Sequence, residues 1–209
     1  IKRINFLKKK KPEYIVICAA IVGGVDYNRK FKSKFLYENL QIQNNLIHGA
    51  YLAGTKNLIF LGSSCMYPKK SKTPIKEDQL LSGFLEETND AYVLAKISGL
   101  KLCEYYSKNF NLNYRTLMPC NIYGPGDNYD LKKSHFYPAL IKKILLAKKN
   151  KKKTIEIWGT GTPKREILYV DDLAEAIFFF MKKKMKDYYV NIGSGKEFSI
   201  IWYAKFIMK

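Results

Sequence analysis

With 209 residues, 47% hydrophobic and 26% charged, the chain has apolar material for one large domain or a domain and part of a second; its 13 Gly and 7 Pro exclude collagen, low-complexity disorder and a disulfide-stapled miniprotein. No apolar run approaches the roughly 18 residues of a membrane span; the longest candidates, 14–22 and 174–181, have the length of buried strands or one helix face. A net charge of +19 invites nucleic acid or an anionic membrane, yet 33 of the 37 basic residues are lysine, beside abundant Asn, Ile, Tyr and Phe with AT-rich codons, so genome composition explains much of it and neither partner is expected.

The N-terminus, Ile1 to Lys11, is basic, lacks an initiator Met and has no continuous apolar stretch before a small-residue cleavage site, so it reads as the start of a fragment rather than a signal peptide. Predicted strands then run Tyr14 to Ala20, Asn57 to Gly62, Tyr114 to Met118, Ile155 to Trp158, Ile167 to Val170 and Tyr189 to Ile192. Helices are predicted at about 34–53, 91–110, 138–149 and 172–183, with another beginning near Ser199. Pro138 suits a first helical turn, Asp171 suits a cap, and Gly124-Pro125-Gly126-Asp127-Asn128 is a loop. This alternation is the rhythm of a doubly wound parallel α/β sheet, whose crevice opens at the carboxyl ends of the strands. The four cysteines, Cys18, Cys65, Cys103 and Cys120, lack Cys-x-x-Cys spacing, so no metal is expected and a reducing, cytoplasmic compartment is.

Tyr92 and Lys96 stand one helical turn apart, and a cation beside a phenol lowers its pKa toward the range useful for acid-base work. The spacing alone carries little, because about 2.5 such pairs arise by chance in this composition, and Tyr129 with Lys133 makes another. Context adds Ser63-Ser64 at the end of an apolar strand, where a hydroxyl can reach the same carbonyl oxygen. Taken singly, Cys65 reads as a buried structural thiol, Tyr92 as an amphipathic aromatic, Lys96 as a solvated lysine, and His48 as a packing residue of its helix.

Five segments together resemble the GDP-L-fucose synthases, of the extended short-chain dehydrogenase/reductases: Leu61-Gly62-Ser63-Ser64-Cys65-Met66-Tyr67-Pro68, Thr88 to Lys96, Met118 to Pro125, Ser134-His135 and Trp158 to Glu166. The resemblance implies a Rossmann fold with a smaller C-terminal substrate domain, divided as 1–125 with 166–183 and 126–165 with 184–209. It implies conversion of GDP-4-keto-6-deoxy-D-mannose to GDP-L-fucose, by epimerisation at C3 and C5 and reduction at C4 with NADPH, in a protein that is a homodimer when full length. Ser63, Tyr92 and Lys96 would form the reductive triad, and Cys65 and His135 the acid-base pair of the epimerisation. Leu61, Gly62, Ser63, Ser64, Lys96, Pro119, Cys120, Asn121, Ile122 and His135 would line the cofactor. Lys143, Trp158 and Arg165 would meet the GDP-sugar, although Trp158 reads equally well as a core residue of a small sheet.

The chain also departs from that family. No Gly-x-x-Gly-x-x-Gly turn follows a first strand, and adjacent Gly23-Gly24 cannot build a pyrophosphate turn. The first βαβ unit and most of the substrate domain are therefore expected to be missing, with Ile21 where the family has a lysine. The alternatives are another sugar-nucleotide epimerase or dehydratase of the same family, and a non-catalytic basic protein on this fold that binds nucleic acid or glycans.

Overall fold

A computed structural model describes residues 2–131, 133–183 and 185–209, the side chains of 2–4 excepted; Lys184, inside the basic run 182–186, lies outside the described residues. In chain order the elements are α1 (Lys2–Lys10), β1 (Tyr14–Ile17), α2 (Val25–Lys30), α3 (Lys32–Leu52), β2 (Asn57–Leu61), α4 (Asp90–Phe110), β3 (Asn113–Pro119), β4 (Asn121–Tyr123), α5 (Phe136–Lys149), β5 (Lys164–Tyr169), α6 (Val170–Lys182), β6 (Tyr189–Ile192), β7 (Glu197–Ser199) and α7 (Ile200–Met208).

Four strands form a parallel sheet in the order β1-β2-β3-β6, with Tyr14 opposite Asn57, Leu58 opposite Tyr114 and Leu117 opposite Val190. Parallel strands covered on both faces read as unbroken apolar runs, which is why Tyr-Ile-Val-Ile and Asn-Leu-Ile-Phe-Leu carry little alternation. On one face α3 and α4 bring Ile47, Ala50 and Cys103 onto Leu58, Phe60 and Tyr114. Each large side chain fully buried there contributes about 1.5–3 kcal/mol. Gly99 lets α4 sit that low, since a Cβ at this position would come within 2.7 Å of the Phe60 ring. The buried Gln43 ties the two helices together by donating to the Ala95 carbonyl at 2.5 Å. On the other face α6 lays Ile177, Phe180 and Met181 over Ile59 and Leu117.

A second, three-stranded sheet has the order β4-β5-β7, with β4 parallel and β7 antiparallel to β5. Its core joins α5 to α7 through Leu140, Tyr203 and Ala204. The two sheets meet at Glu166 on β5, whose carboxylate accepts the Gly195 N–H at 2.6 Å and the Ser194 hydroxyl at 3.3 Å in the loop after β6. Asn121 on β4 donates to the Glu166 carbonyl at 3.0 Å.

Several local expectations need correction. Ile155 to Trp158 is not a strand; among the described residues it pairs with no other strand, and Ile155 and Ile157 instead rest on the α5–α7 core. The short strands β4 and β7, and helices α1 and α2, have no counterpart in the sequence reading. β1 ends at Ile17 rather than Ala20, because Asn39 captures both backbone groups of Ile21 and turns the chain away. Tyr169, not Asp171, stands at the N-cap of α6; Asp171 and Asp172 occupy its first turn, where they complement the helix dipole. His48 is exposed on α3, with Nδ1 2.5 Å from the Tyr106 hydroxyl, rather than packed inside. Two strands also sit across the expected division of the chain: β4 lies in the small sheet and β6 in the large one.

Candidate active site

The site grows from the carboxyl end of β2. Gly62 is wedged among Met66, Met118 and Thr116, and the next residue, Ser63, caps a single 3-10 turn over 64–66. Its Oγ accepts the Cys65 N–H at 3.2 Å, which leaves the Cys65 thiol exposed at the turn while Met66 and Tyr67 are buried beneath. Tyr67 anchors the turn by donating its hydroxyl to Asn191 Oδ1 at 2.7 Å, and Glu77 holds Asn191 in turn through its N–H at 2.8 Å.

Helix α4 passes over this turn and supplies Tyr92 and Lys96. The Tyr92 side chain lies close enough to Ser63 and Cys65 for both to act on its hydroxyl. Lys96 is only 3% exposed and donates from Nζ to the Leu61 carbonyl at 2.7 Å, with the Phe60 ring 4.7 Å away. Ser63, Cys65, Tyr92 and Lys96 therefore share one locus, with Leu61, Gly62 and Ser64 around it. The electrostatics differ from the sequence expectation, in which the lysine lowers the tyrosine. Burial raises the Tyr92 pKa, Cys65 adds to the rise, and Ser63 opposes it. The ammonium has little effect because it is turned onto the Leu61 carbonyl and lies 5.8 Å from the Tyr92 ring centroid.

Burial pushes Lys96 itself down to about 8, with the nearby Cys18 thiol opposing, so the folded chain holds this proton less tightly than the unfolded one. Between pH 8 and 10.5 the unfolded state binds more protons; stability gained from neutralising Lys96 is thus absent below pH 8 and recovered as pH rises through that window. Lys96→Met should accordingly be more stable than the parent at pH 7. About 3 kcal/mol of relieved cation burial is offset by about 1 for the Leu61 carbonyl left without its donor. Urea midpoints of the two proteins at pH 7 and 10.5 check this: the advantage should vanish at the higher pH, and an advantage that grows with pH would contradict it.

His135 occupies the N-cap of α5. Packing around its ring lowers its pKa below the usual imidazole value, and the Asp127 carboxylate opposes that shift. Asp127 also lines a cleft of about 310 Å3 with Tyr123, Tyr137 and Tyr169, beside the His135 segment. Pro119 ends β3, Cys120 donates its N–H to the Ile192 carbonyl at 3.0 Å, and Asn121 and Ile122 begin β4, so this group bridges the two sheets. Burial pushes the Cys120 thiol up to about 11.

Lys143 and Trp158 come together, with Nζ 5.0 Å from the indole centroid. Trp158 is 60% exposed, which removes the core reading. Arg165 is exposed on β5 and donates to the Lys164 carbonyl at 2.7 Å. Cys18 beside Lys96 and Asp127 beside His135 are neighbours that sequence reasoning missed. Asp127 was visible only as part of a Gly-Pro-Gly-Asp-Asn turn, and Cys18 only as a thiol in an apolar run. Among the described residues no helix is long and apolar enough to cross a membrane, and no group of three or more His, Cys, Asp or Glu is placed to hold a metal ion.

Comparison with known proteins gives a consistent result. The family described as NAD dependent epimerase/dehydratase matches residues 2–193. A GDP-L-fucose synthase of Sinorhizobium fredii is 45% identical over 205 residues, 98% of this chain, and a GDP-L-colitose synthase of Yersinia pseudotuberculosis is 43% identical over 207 residues. The chain spans 65% and 67% of those two relatives. Among solved structures, a GDP-L-fucose synthetase from Naegleria fowleri bound to NADP superposes with a TM-score of 0.88 at 29% identity, over 98% of this chain and 63% of that one.

Proposed function

The chain belongs to the NAD dependent epimerase/dehydratase family, and from that premise we propose that it is part of an NADPH-dependent enzyme converting GDP-4-keto-6-deoxy-D-mannose to GDP-L-fucose. The observation that carries the reading is the placement of Tyr92 beside Ser63 and Cys65, on the turn that Ser63 caps at the end of β2. A ketone oxygen placed against the two hydroxyls would meet a thiol on the turn beside it. Protons on carbons flanking a ketone are removed through an enolate, whose charge sits on that oxygen, so hydroxyl donors lower the barrier to epimerisation. In this assignment Cys65 and His135 exchange the C3 and C5 protons, one removing a proton from one face and the other delivering a proton to the opposite face. Burial keeps the His135 imidazole neutral near pH 7, as a base requires.

The donor set also fits a nicotinamide: hydroxyls and a buried ammonium converge just beyond a parallel strand, where such folds bind dinucleotides. NADPH, when bound, supplies the hydride that C4 accepts. Tyr92 gives its proton to O4, Ser63 holds that oxygen, and Lys96 fixes the Leu61 carbonyl and with it the strand end that carries Ser63. Lys143, Trp158 and Arg165 are assigned to the GDP-sugar: a cation-flanked indole suits a base, and a guanidinium suits a diphosphate. The proposal extends to a cytoplasmic homodimer, supported by Tyr37, Leu94, Tyr105 and Phe110 exposed on α3 and α4.

The test is to incubate the protein carrying this chain with the GDP-keto sugar and NADPH in deuterated buffer, with the dimer read by sedimentation in the same preparation. Deuterium at C3 and C5 with one equivalent of NADPH consumed is the expected result. Reduction with deuterium at C5 alone, or at neither carbon, would assign the protein to a different GDP-sugar reductase.

A further inference from the structure

Gly23 and Gly24 have no part in the chemistry above, and neither holds a backbone conformation that demands glycine; Gly24 has φ −64 and ψ 171. What they meet differs. A Cβ on Gly23 would press on side-chain atoms, the Tyr27 ring at 2.8 Å and the Phe35 ring at 3.2 Å. A Cβ on Gly24 would press on backbone, lying 2.8 Å from the Ser134 carbonyl oxygen and 3.6 Å from that of Lys133. Gly24 also donates its N–H to the Lys133 carbonyl at 2.8 Å, so the loop after β1 touches the segment that leads directly into His135.

Both sides of this contact are held firmly. Asn39, buried on α3, accepts the Ile21 N–H at 2.9 Å and donates to the Ile21 carbonyl at 3.0 Å. Asn28, 7% exposed, donates to the carbonyls of Gly23 at 2.6 Å and Gly24 at 3.2 Å. Across the contact, the N–H groups of Lys133 and Ser134 both go to the Asp130 carbonyl, and His135 then opens α5 with its carbonyl accepting the Ala139 N–H. An added methyl at Gly24 has no flexible side chain to displace and must move the 133–134 backbone.

We propose that Gly24 is a positioning residue for His135: the loop after β1, fixed by Asn28 and Asn39, is the seat on which the His135 segment rests, and glycine is needed because the two backbones approach too closely for a Cβ. This rests on the reading of His135 as an acid-base group, and the test separates the two. In the protein carrying this chain, the imidazole C2–H resonance of His135 is assigned by its loss in His135→Gln and titrated in the parent, Gly23→Ala and Gly24→Ala.

Gly24→Ala should shift that resonance and raise its midpoint, as the ring loosens from its packing while still facing Asp127; Gly23→Ala should move neither. Deuterium exchange into the keto sugar should fall at least about tenfold in Gly24→Ala relative to Gly23→Ala, with KM for NADPH unchanged within about twofold. Should Gly24→Ala fail to fold, Asn28→Ala, which frees the loop carbonyls without adding an atom, should move the same resonance in the same direction by less. An unmoved His135 resonance in Gly24→Ala, or in Asn28→Ala where that serves instead, overturns the seat whatever the catalysis. A moved resonance in a protein whose parent exchanges no substrate protons supports the seat and strikes only the functional reading.

Discussion

Tyr92→Phe should lower reduction of the keto sugar by about a thousandfold while deuterium still enters C3 and C5. The two steps share the ketone oxygen but ask different things of it. Enolisation needs charge stabilisation there, which Ser63 continues to supply, and it keeps Cys65 and His135. Hydride transfer needs a proton delivered to that oxygen, and general acids of this kind are worth about 10²–10⁴ in rate. Burial and Cys65 together hold the Tyr92 hydroxyl in its protonated, donating form across the neutral range. NADPH oxidation followed by absorbance, and exchange followed by NMR in the same sample, separate the steps. Reduction at the parent rate in Tyr92→Phe would remove tyrosine from the proposed triad.

Cys65→Ser should do the reverse, slowing proton exchange by about 100-fold or more while an already epimerised ketone is reduced at close to the parent rate. The geometry favours a clean result, because Cys65 is held through its backbone N–H on Ser63 Oγ and its side chain is exposed, so the substitution leaves the turn intact. A serine hydroxyl is a far weaker base than a thiolate, and that difference carries the effect. Slowed reduction with unchanged exchange would reassign Cys65 to the reductive half.

The parallel sheet was legible because β1, β2, β3 and β6 have helices packed on both faces and therefore stand out as apolar runs bounded by turns. β4 and β7 were not, at three residues each, since elements that short owe their existence to the partner strand β5 rather than to local preference. Ile155 to Trp158 is the converse, a β-like run that pairs with no strand among the described residues. At the site, the convergence of Ser63 with Tyr92 could be anticipated only from five motifs taken together, because the Tyr-x-x-x-Lys spacing recurs at Tyr129 and Lys133. The direction in which Lys96 points was not legible, since it depends on the Leu61 carbonyl, 35 residues away in the chain. The same holds for Cys18 beside Lys96, a neighbour supplied by a different strand end.

On the proposed function, the Glu166 joint would bear on how quickly a bound product leaves. Any movement that swings β4, β5 and β7 away from the large sheet must first detach that carboxylate from Gly195 and Ser194, and Gly193 packs against it with no room for a Cβ. A charge-assisted hydrogen bond at a partly solvated position is worth about 1 kcal/mol, which slows such a swing by about fivefold relative to an unfastened joint. Arg165 is the adjacent residue on the same strand, so a diphosphate held there would be carried on the moving leaf. Departure of a nucleotide-linked product would then be timed by a hinge whose latch lies one residue from its grip.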